Sequence, residues 1–303
     1  MPLHRLTTAV LGVPDVDAVA AFYRDFGLTE SAPGSGVFST VDGGEQLRLE
    51  HAPRRRLLEL GLGVDDADDL DRAAHDIVAF GLGVERDTQS VRAIEPGTGV
   101  AVHLTVAPRY EHAPPPPPDT NAPGRTARTT MRSSALDRSK PVRPRKLGHV
   151  VLGSLDADRS EAFFRQALGF KLSDQVVGAA AFLRCSTDHH NLLVQRAPVP
   201  FLHHTSWLVD DVDEIGRGAA GVLAAHPDAH VWGLGRHHIG SNFFWYLRDP
   251  SGCFAEYHSD LDVIVDDELW EPGAFADARA LYAWGPPVPR QFLAPDDLAE
   301  LMA

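Results

Sequence analysis

Glu256 stands in an apolar run, Cys253 to Tyr257, that reads as a strand. An ionised carboxylate in a buried strand is costly unless it is paired or holds a metal ion. Phe254 shares its face at period two, which argues against a solvated side. Just upstream, Phe243 to Leu247 forms a second strand candidate carrying Tyr246, the turn Asp249-Pro250-Ser251-Gly252 joins the two, and His237 precedes them. Ten of the 15 histidines lie from His149 onward. His149 and one of the pair His203-His204 fall on strands of their own, so two imidazoles and a carboxylate can meet from three strands. That donor set is the facial triad suited to non-haem Fe(II); Mn(II) accepts the same ligand types, and coordination positions stay open for reactants. Period two does not decide between His203 and His204, since either face of the strand could point inward.

The elements that must position these groups are visible as an internal repeat. AVLGVPDVDAVAAFYRDFGL, from Ala9, lies beside VVLGSLDADRSEAFFRQALGF, from Val150, with Leu11-Gly12 over Leu152-Gly153 and Phe22 over Phe163. LGLGVDDADDLDRAA, from Leu60, lies over TSWLVDDVDEIGRGA, from Thr205, and Glu95-Pro96-Gly97 precedes an apolar run as Asp249 to Gly252 does. Each copy reads strand, helix, then three strands, twice over, so duplication is the simplest account. The expected fold is α+β: two tandem domains, each of paired βαβββ modules curling a mixed sheet around a hollow. Matching the copies puts His149 over Thr8, His204 over Glu59 and Glu256 over His103, so a donor set in the second copy is expected to be broken in the first.

The 303 residues suffice for two cores, and the expected division is 1–108, a linker at 109–146, a metal-binding domain at 147–260 and a tail at 261–303. The linker carries five prolines, Pro114 to Pro118, then a basic stretch including Arg125, Arg128, Arg132, Arg138, Arg143, Arg145 and Lys146, expected to cross the surface and pair with acidic groups. The acidic tail is expected to wrap the second domain and end in a short helix from Pro295. A net charge of -14 argues against a nucleic-acid or membrane-surface binder. Two cysteines, Cys185 and Cys253, make no disulfide framework, and neither a signal pattern nor a membrane-length apolar run is present; a cytoplasmic protein is expected.

On these motifs the chain resembles the type I extradiol ring-cleaving dioxygenases of the vicinal oxygen chelate superfamily, the catechol 2,3-dioxygenase-like enzymes. LGHVVL matches the motif with the first metal histidine, His149; FLHHTSWLVDDVDEI the second; DPSGCFAEYHSD the glutamate, Glu256. The family pattern uses the second member of the double histidine, which implies His204. It also implies catalytic roles for His190 in CSTDHHNLLV, His237 in GLGRHHIG and Tyr246 in FFWYLRDP, ranked above the neighbouring His189 and His238. The resemblance implies an enzyme that opens a catechol-type ring with O2 at Fe(II), or Mn(II), to a muconic semialdehyde-type product, and that assembles as a homo-oligomer. Another metal-dependent isomerase or lyase of the superfamily, or a protein that only binds aromatic compounds, are the competing expectations. Neighbours of Phe243 to Trp245, His238 and parts of the tail are expected to wall the pocket.

Overall fold

The computed structural model describes residues 3–111, 130, 132, 140–276 and 280–302. Pro114 to Pro118 and Arg125, Arg128 and Arg138 lie outside the described residues. The first half runs β1 (Arg5–Val13), α1 (Val16–Asp25), β2 (Thr29–Glu30), β3 (Val37–Thr40), β4 (Gly44–His51), then β5 (Arg56–Val64), α2 (Ala67–Ala79), β6 (Glu85–Arg86), β7 (Ser90–Ile94) and β8 (Ala101–Val106). The second repeats it: β9 (Lys146–Ser154), α3 (Ala157–Ala162), β10 (Lys171–Val176), β11 (Ala180–Arg184), β12 (Leu192–Arg196), then β13 (Phe201–Leu208), α4 (Val212–Ala225), β14 (His230–Arg236), β15 (Phe243–Arg248) and β16 (Phe254–Ser259).

Each half is one mixed sheet, ordered β2-β3-β4-β1-β5-β8-β7-β6 in the first and β14-β15-β16-β13-β9-β12-β11-β10 in the second. The leading strands of the two modules lie antiparallel at the centre, β1 beside β5 and β9 beside β13, and each is flanked on its other side by a parallel strand of its own module. Each α+β sheet is thus two βαβββ modules about a pseudo-twofold.

The helices start where an aspartate can cap them. The side chains of Asp15, Asp66, Asp156 and Asp211 accept from the backbone N–H of Ala18, Asp69, Arg159 and Glu214, satisfying donors that the first turn leaves free. Gly27 follows α1 at φ +95°, and a side chain there would run into the Val142 carbonyl, so the end of the helix depends on it. The second copy departs from the expected single helix: α3 is short and passes into a π-turn, Phe163–Ala167, which sends the consecutive Phe163 and Phe164 both into the core.

One apolar cluster runs through both halves. Tyr257, on the helix-covered face of β16, stacks on Phe26 at 3.9 Å and donates its hydroxyl to the Phe26 carbonyl at 2.6 Å. Burying rings such as Trp207 and Tyr257 contributes about 1.5–3 kcal/mol each. Around the edge of this contact, Arg145 forks onto Asp210 at 2.6 and 2.8 Å and Lys146 reaches Asp188 at 2.6 Å, so these linker-end cations do meet acidic partners.

The tail adds β17 (Gly273–Phe275) parallel to β10, then α5 (Arg290–Leu293) and α6 (Leu298–Met302). It is held by Arg55 of the first half, which is buried, forks onto Asp297 at 2.5 and 2.7 Å and donates to the Leu202 carbonyl. No helix among the described residues is long and apolar enough to cross a membrane.

The turn between β15 and β16 yields a pH prediction. Asp249 Oδ1 accepts from Ser251 N, Ser251 Oγ and Cys253 N, yet burial pushes its carboxyl up to about 6 from 3.8. The unfolded chain therefore loses this proton first, and stability falls as pH rises from about 4 through 6, then stays level. At 1.36 kcal/mol per unit the loss is on the order of 3 kcal/mol. Asp249→Asn should remove that slope; urea unfolding of metal-free wild type and variant at pH 5 and 7.5 checks it.

Candidate active site

The concave face of the second sheet carries the site. His204 and Ser206 share one face of β13, and Ser206 is in register with His149 on β9 and with Glu256 on β16, so three neighbouring central strands present His149, His204 and Glu256 together. His149 Nε2 lies 3.1 Å and His204 Nε2 3.5 Å from Glu256 Oε2, with 3.3 Å between the two nitrogens. All three side chains are buried, Glu256 completely. Ser206 itself bonds His258 Nδ1 at 2.8 Å, and Gly148 is where a side chain would collide with the His258 ring.

The three donors fit a divalent ion. Each offers one ligand atom, and all lie within 4.8 Å of one another. Glu256 Oε2 is buried without a hydrogen-bond donor among the described residues although two imidazole nitrogens face it, as lone pairs would that converge on a cation. Burial would raise the Glu256 carboxyl, but His149 and His237 outweigh it and hold it well below the usual range, so it is a carboxylate. Burial, reinforced by His203, pushes His204 well down, leaving a neutral imidazole.

His203 and His204 divide their work through hydrogen bonds. His203 Nε2 donates to the Phe292 carbonyl at 2.6 Å, and burial pushes this imidazole down to about 4. Its Nδ1 is then an acceptor for His204 Nδ1–H, 2.7 Å away, and His204 Nε2 is left with its lone pair toward Glu256. His203→Phe should keep the packing against Phe254 and Phe292 but free His204 to rotate. Iron affinity is expected to fall about 10–100-fold, measured by chelator competition.

The other candidates surround this centre. Tyr246, paired with Glu256 across β15 and β16, donates its hydroxyl to His237 Nε2 at 2.8 Å while His237 Nδ1 donates to the Leu281 carbonyl of the tail. Burial and then Glu256 push the Tyr246 phenol well up, so it is neutral. Asn242 Nδ2 donates to Glu256 Oε1 at 3.3 Å. On the other side, the His190 ring centre is 4.2 Å from that of His149, and burial pushes His190 well down. His189 turns away: its Nδ1 meets His190 Nδ1 and its Nε2 meets Asp174 Oδ2, each at 3.0 Å. His238 also turns away, onto Phe275.

A cavity of about 110 Å³ opens above these groups, with Val151, Phe182, Leu193, Ile239, Leu281 and Phe292 as its apolar walls. It is on the scale of a cavity of ~150 Å³ that accepts benzene. Phe243, Phe244, Trp245 and His238 are not among the lining residues; Phe244 instead stacks beneath His237 at 4.1 Å. In the first half, the equivalent positions hold Thr8, Glu59 and His103, and there Glu59 pairs with His103 at 3.3 Å and with Arg92 at 3.3 Å.

The Glyoxalase/Bleomycin resistance protein/Dioxygenase superfamily profile matches residues 146–257. Over 300 residues, 96% of this chain and 92% of the relative, the protein is 32% identical to metapyrocatechase 2 of Cupriavidus necator. The chain belongs to the extradiol dioxygenases of that superfamily. This extradiol dioxygenase is also 25% identical to 2,2',3-trihydroxybiphenyl dioxygenase of Sphingomonas paucimobilis over 89% of its own length and 92% of the relative's. Its fold matches the crystal structure of a Mn(II)-bound glyoxalase from Novosphingobium aromaticivorans, with a TM-score of 0.77 over 95% of both chains at 26% identity. The site of the dioxygenase includes groups that the sequence did not single out: Asp174, Asn242, His258 and the carbonyls of Leu281 and Phe292. The doubled histidines were the available signal for His189 and His203; Asp174 and the two carbonyls carry none.

Proposed function

We propose that the protein opens a catechol-type ring with O2, beside its two hydroxyls, at Fe(II) held by His149, His204 and Glu256, giving a muconic semialdehyde-type product. The observation that carries this reading is the convergence of His149 Nε2, His204 Nε2 and Glu256 Oε2 beneath an apolar cavity, with Tyr246 and His237 beside one flank and His190 beside the other. Fe(II), when bound, would hold catecholate and O2 side by side and lower the catechol hydroxyl pKa.

The chain's own groups then have separate tasks. Tyr246, whose hydroxyl is bonded to His237 Nε2, orients a catechol hydroxyl and passes its proton toward that nitrogen. Leu281 fixes His237 by its carbonyl, so the imidazole cannot turn from this task. His190 offers its Nε2 beside His149 to hold and return a proton on the oxygen side. The apolar walls exclude water and strengthen every polar contact inside.

The direct test is oxygen uptake and visible absorbance on a panel of catechols with freshly reduced, Fe(II)-loaded protein. Yellow product with stoichiometric O2 consumption is expected; iron-replete protein that consumes no O2 with any of them refutes the reading. Thorough chelation should abolish turnover, and Fe(II) should restore it. Recovery by Mn(II) instead would assign the other metal that these donors suit. A Mn(II)-dependent isomerase, the second reading favoured by the likeness to the Mn(II)-bound glyoxalase, would turn over without O2. The first half is proposed to serve as scaffold and the chain to assemble as a homo-oligomer, which sedimentation of the purified protein checks.

A further inference from the structure

His189 and Asp174 lie behind the site, away from the cavity, and nothing in ring cleavage as described uses them. His189 is fully buried, Asp174 nearly so, and the two meet at 3.0 Å through His189 Nε2 and Asp174 Oδ2. The other carboxylate oxygen, Oδ1, accepts the Gly273 N–H of β17 at 2.6 Å, so the tail strand holds Asp174 in place. A carboxylate only accepts, which makes His189 Nε2 a donor. In a neutral His189 the remaining Nδ1 is then an acceptor, and the group facing it at 3.0 Å is His190 Nδ1. His190 must carry its hydrogen on Nδ1, and its Nε2 is the nitrogen left without one.

We propose that Asp174 and His189 are positioning residues that set the tautomer of His190, presenting an Nε2 lone pair to the oxygen side of the site. His203 does the same for His204 with the Phe292 carbonyl as its outer acceptor. The site is thus built twice from one device: an acceptor, a keyed imidazole, and a second imidazole whose Nε2 faces inward. The two doublets sit on unlike elements, one in a strand and one in the turn between β11 and β12, and they share this bonding pattern nonetheless. This assignment rests on the proposed function for the consequence in turnover, while the tautomer itself does not depend on it.

Asp174→Asn separates the two. With the carbonyl oxygen of the introduced amide kept on Gly273 N–H, its NH2 group faces His189 Nε2 and forces a hydrogen onto His189 Nδ1. His190 then becomes an acceptor at Nδ1 and carries its hydrogen on Nε2, the wrong way round for a base. In 15N spectra of metal-free protein, wild-type His189 should show an Nε2 donor and His190 an Nδ1 donor, with both reversed in the variant. With Fe(II), the variant should keep stoichiometric iron and KM within about threefold while kcat falls about 10–100-fold; inverting a catalytic imidazole's tautomer elsewhere has cost up to ~10⁴-fold. Wild-type His190 with its hydrogen on Nε2, or an Asp174→Asn protein with unchanged kcat, overturns the proposal. The wild-type spectrum needs no variant, so the test survives a variant that fails to fold. Wild-type protein with the expected tautomers but no O2 uptake overturns the dioxygenase reading and leaves the tautomer assignment standing.

Discussion

Glu256→Ala is expected to lose bound Fe(II) and ring-cleaving turnover together, with kcat/KM down by about 10³-fold or more. The expectation follows from what the carboxylate alone supplies. It is the one anion of the donor set, fully buried, with Oε2 turned to His149 and His204 and Oε1 held by Asn242. Without it, the two imidazoles would have to hold a dication in an apolar pocket with no compensating charge, and burying an unpaired charge costs several kcal/mol. Altering a group that merely supports a ligand already costs about 10–100-fold in metal affinity, and removing the ligand costs more. Iron assayed after gel filtration, beside oxygen uptake, decides the matter; a variant that retains stoichiometric iron would show that the ion is held elsewhere.

The second large effect is at His190, and its signature is the opposite. His190→Ala should bind iron normally and lose about 10²–10⁴-fold in kcat, the size typical of deleting a positioned acid–base group. His190 packs on the ring of His149 but is not one of the three converging donors. Measuring iron content with turnover separates the two cases, and unaltered kcat in iron-replete protein would remove His190 from the chemistry.

Much of this arrangement was readable from the residues alone. The order of strands and helices came from hydrophobic period and from the match of one copy to the other, and the sheet register now aligns the same pairs, His149 with Thr8, His204 with Glu59 and Glu256 with His103. Choosing within the doubled histidines was beyond period-two reasoning for a physical reason. The pairing of β13 with β9 slips between Leu202 and His204, so alternation breaks there and both His203 and His204 are buried. Parts of the tail were expected among the cavity walls and supply Leu281 and Phe292, whereas Phe182, Leu193 and Ile239 were not singled out, because no local pattern encodes their approach. Asp174 was invisible likewise: an aspartate in a strand near a turn reads as solvated, and it is the strand added by the tail together with His189 that covers it.

Arg55 belongs to the half in which, among the described residues, no comparable donor group forms, yet its guanidinium ends on Asp297 in the tail and on the carbonyl that directly precedes His203. The tail between these points supplies Phe292 to the keyed imidazole and Leu281 to His237. The copy that holds Thr8, Glu59 and His103 at the equivalent positions thereby braces the tail that lines the other copy's cavity. Separating the halves would therefore strip Arg55 from Asp297 and from the Leu202 carbonyl and leave the tail without this brace.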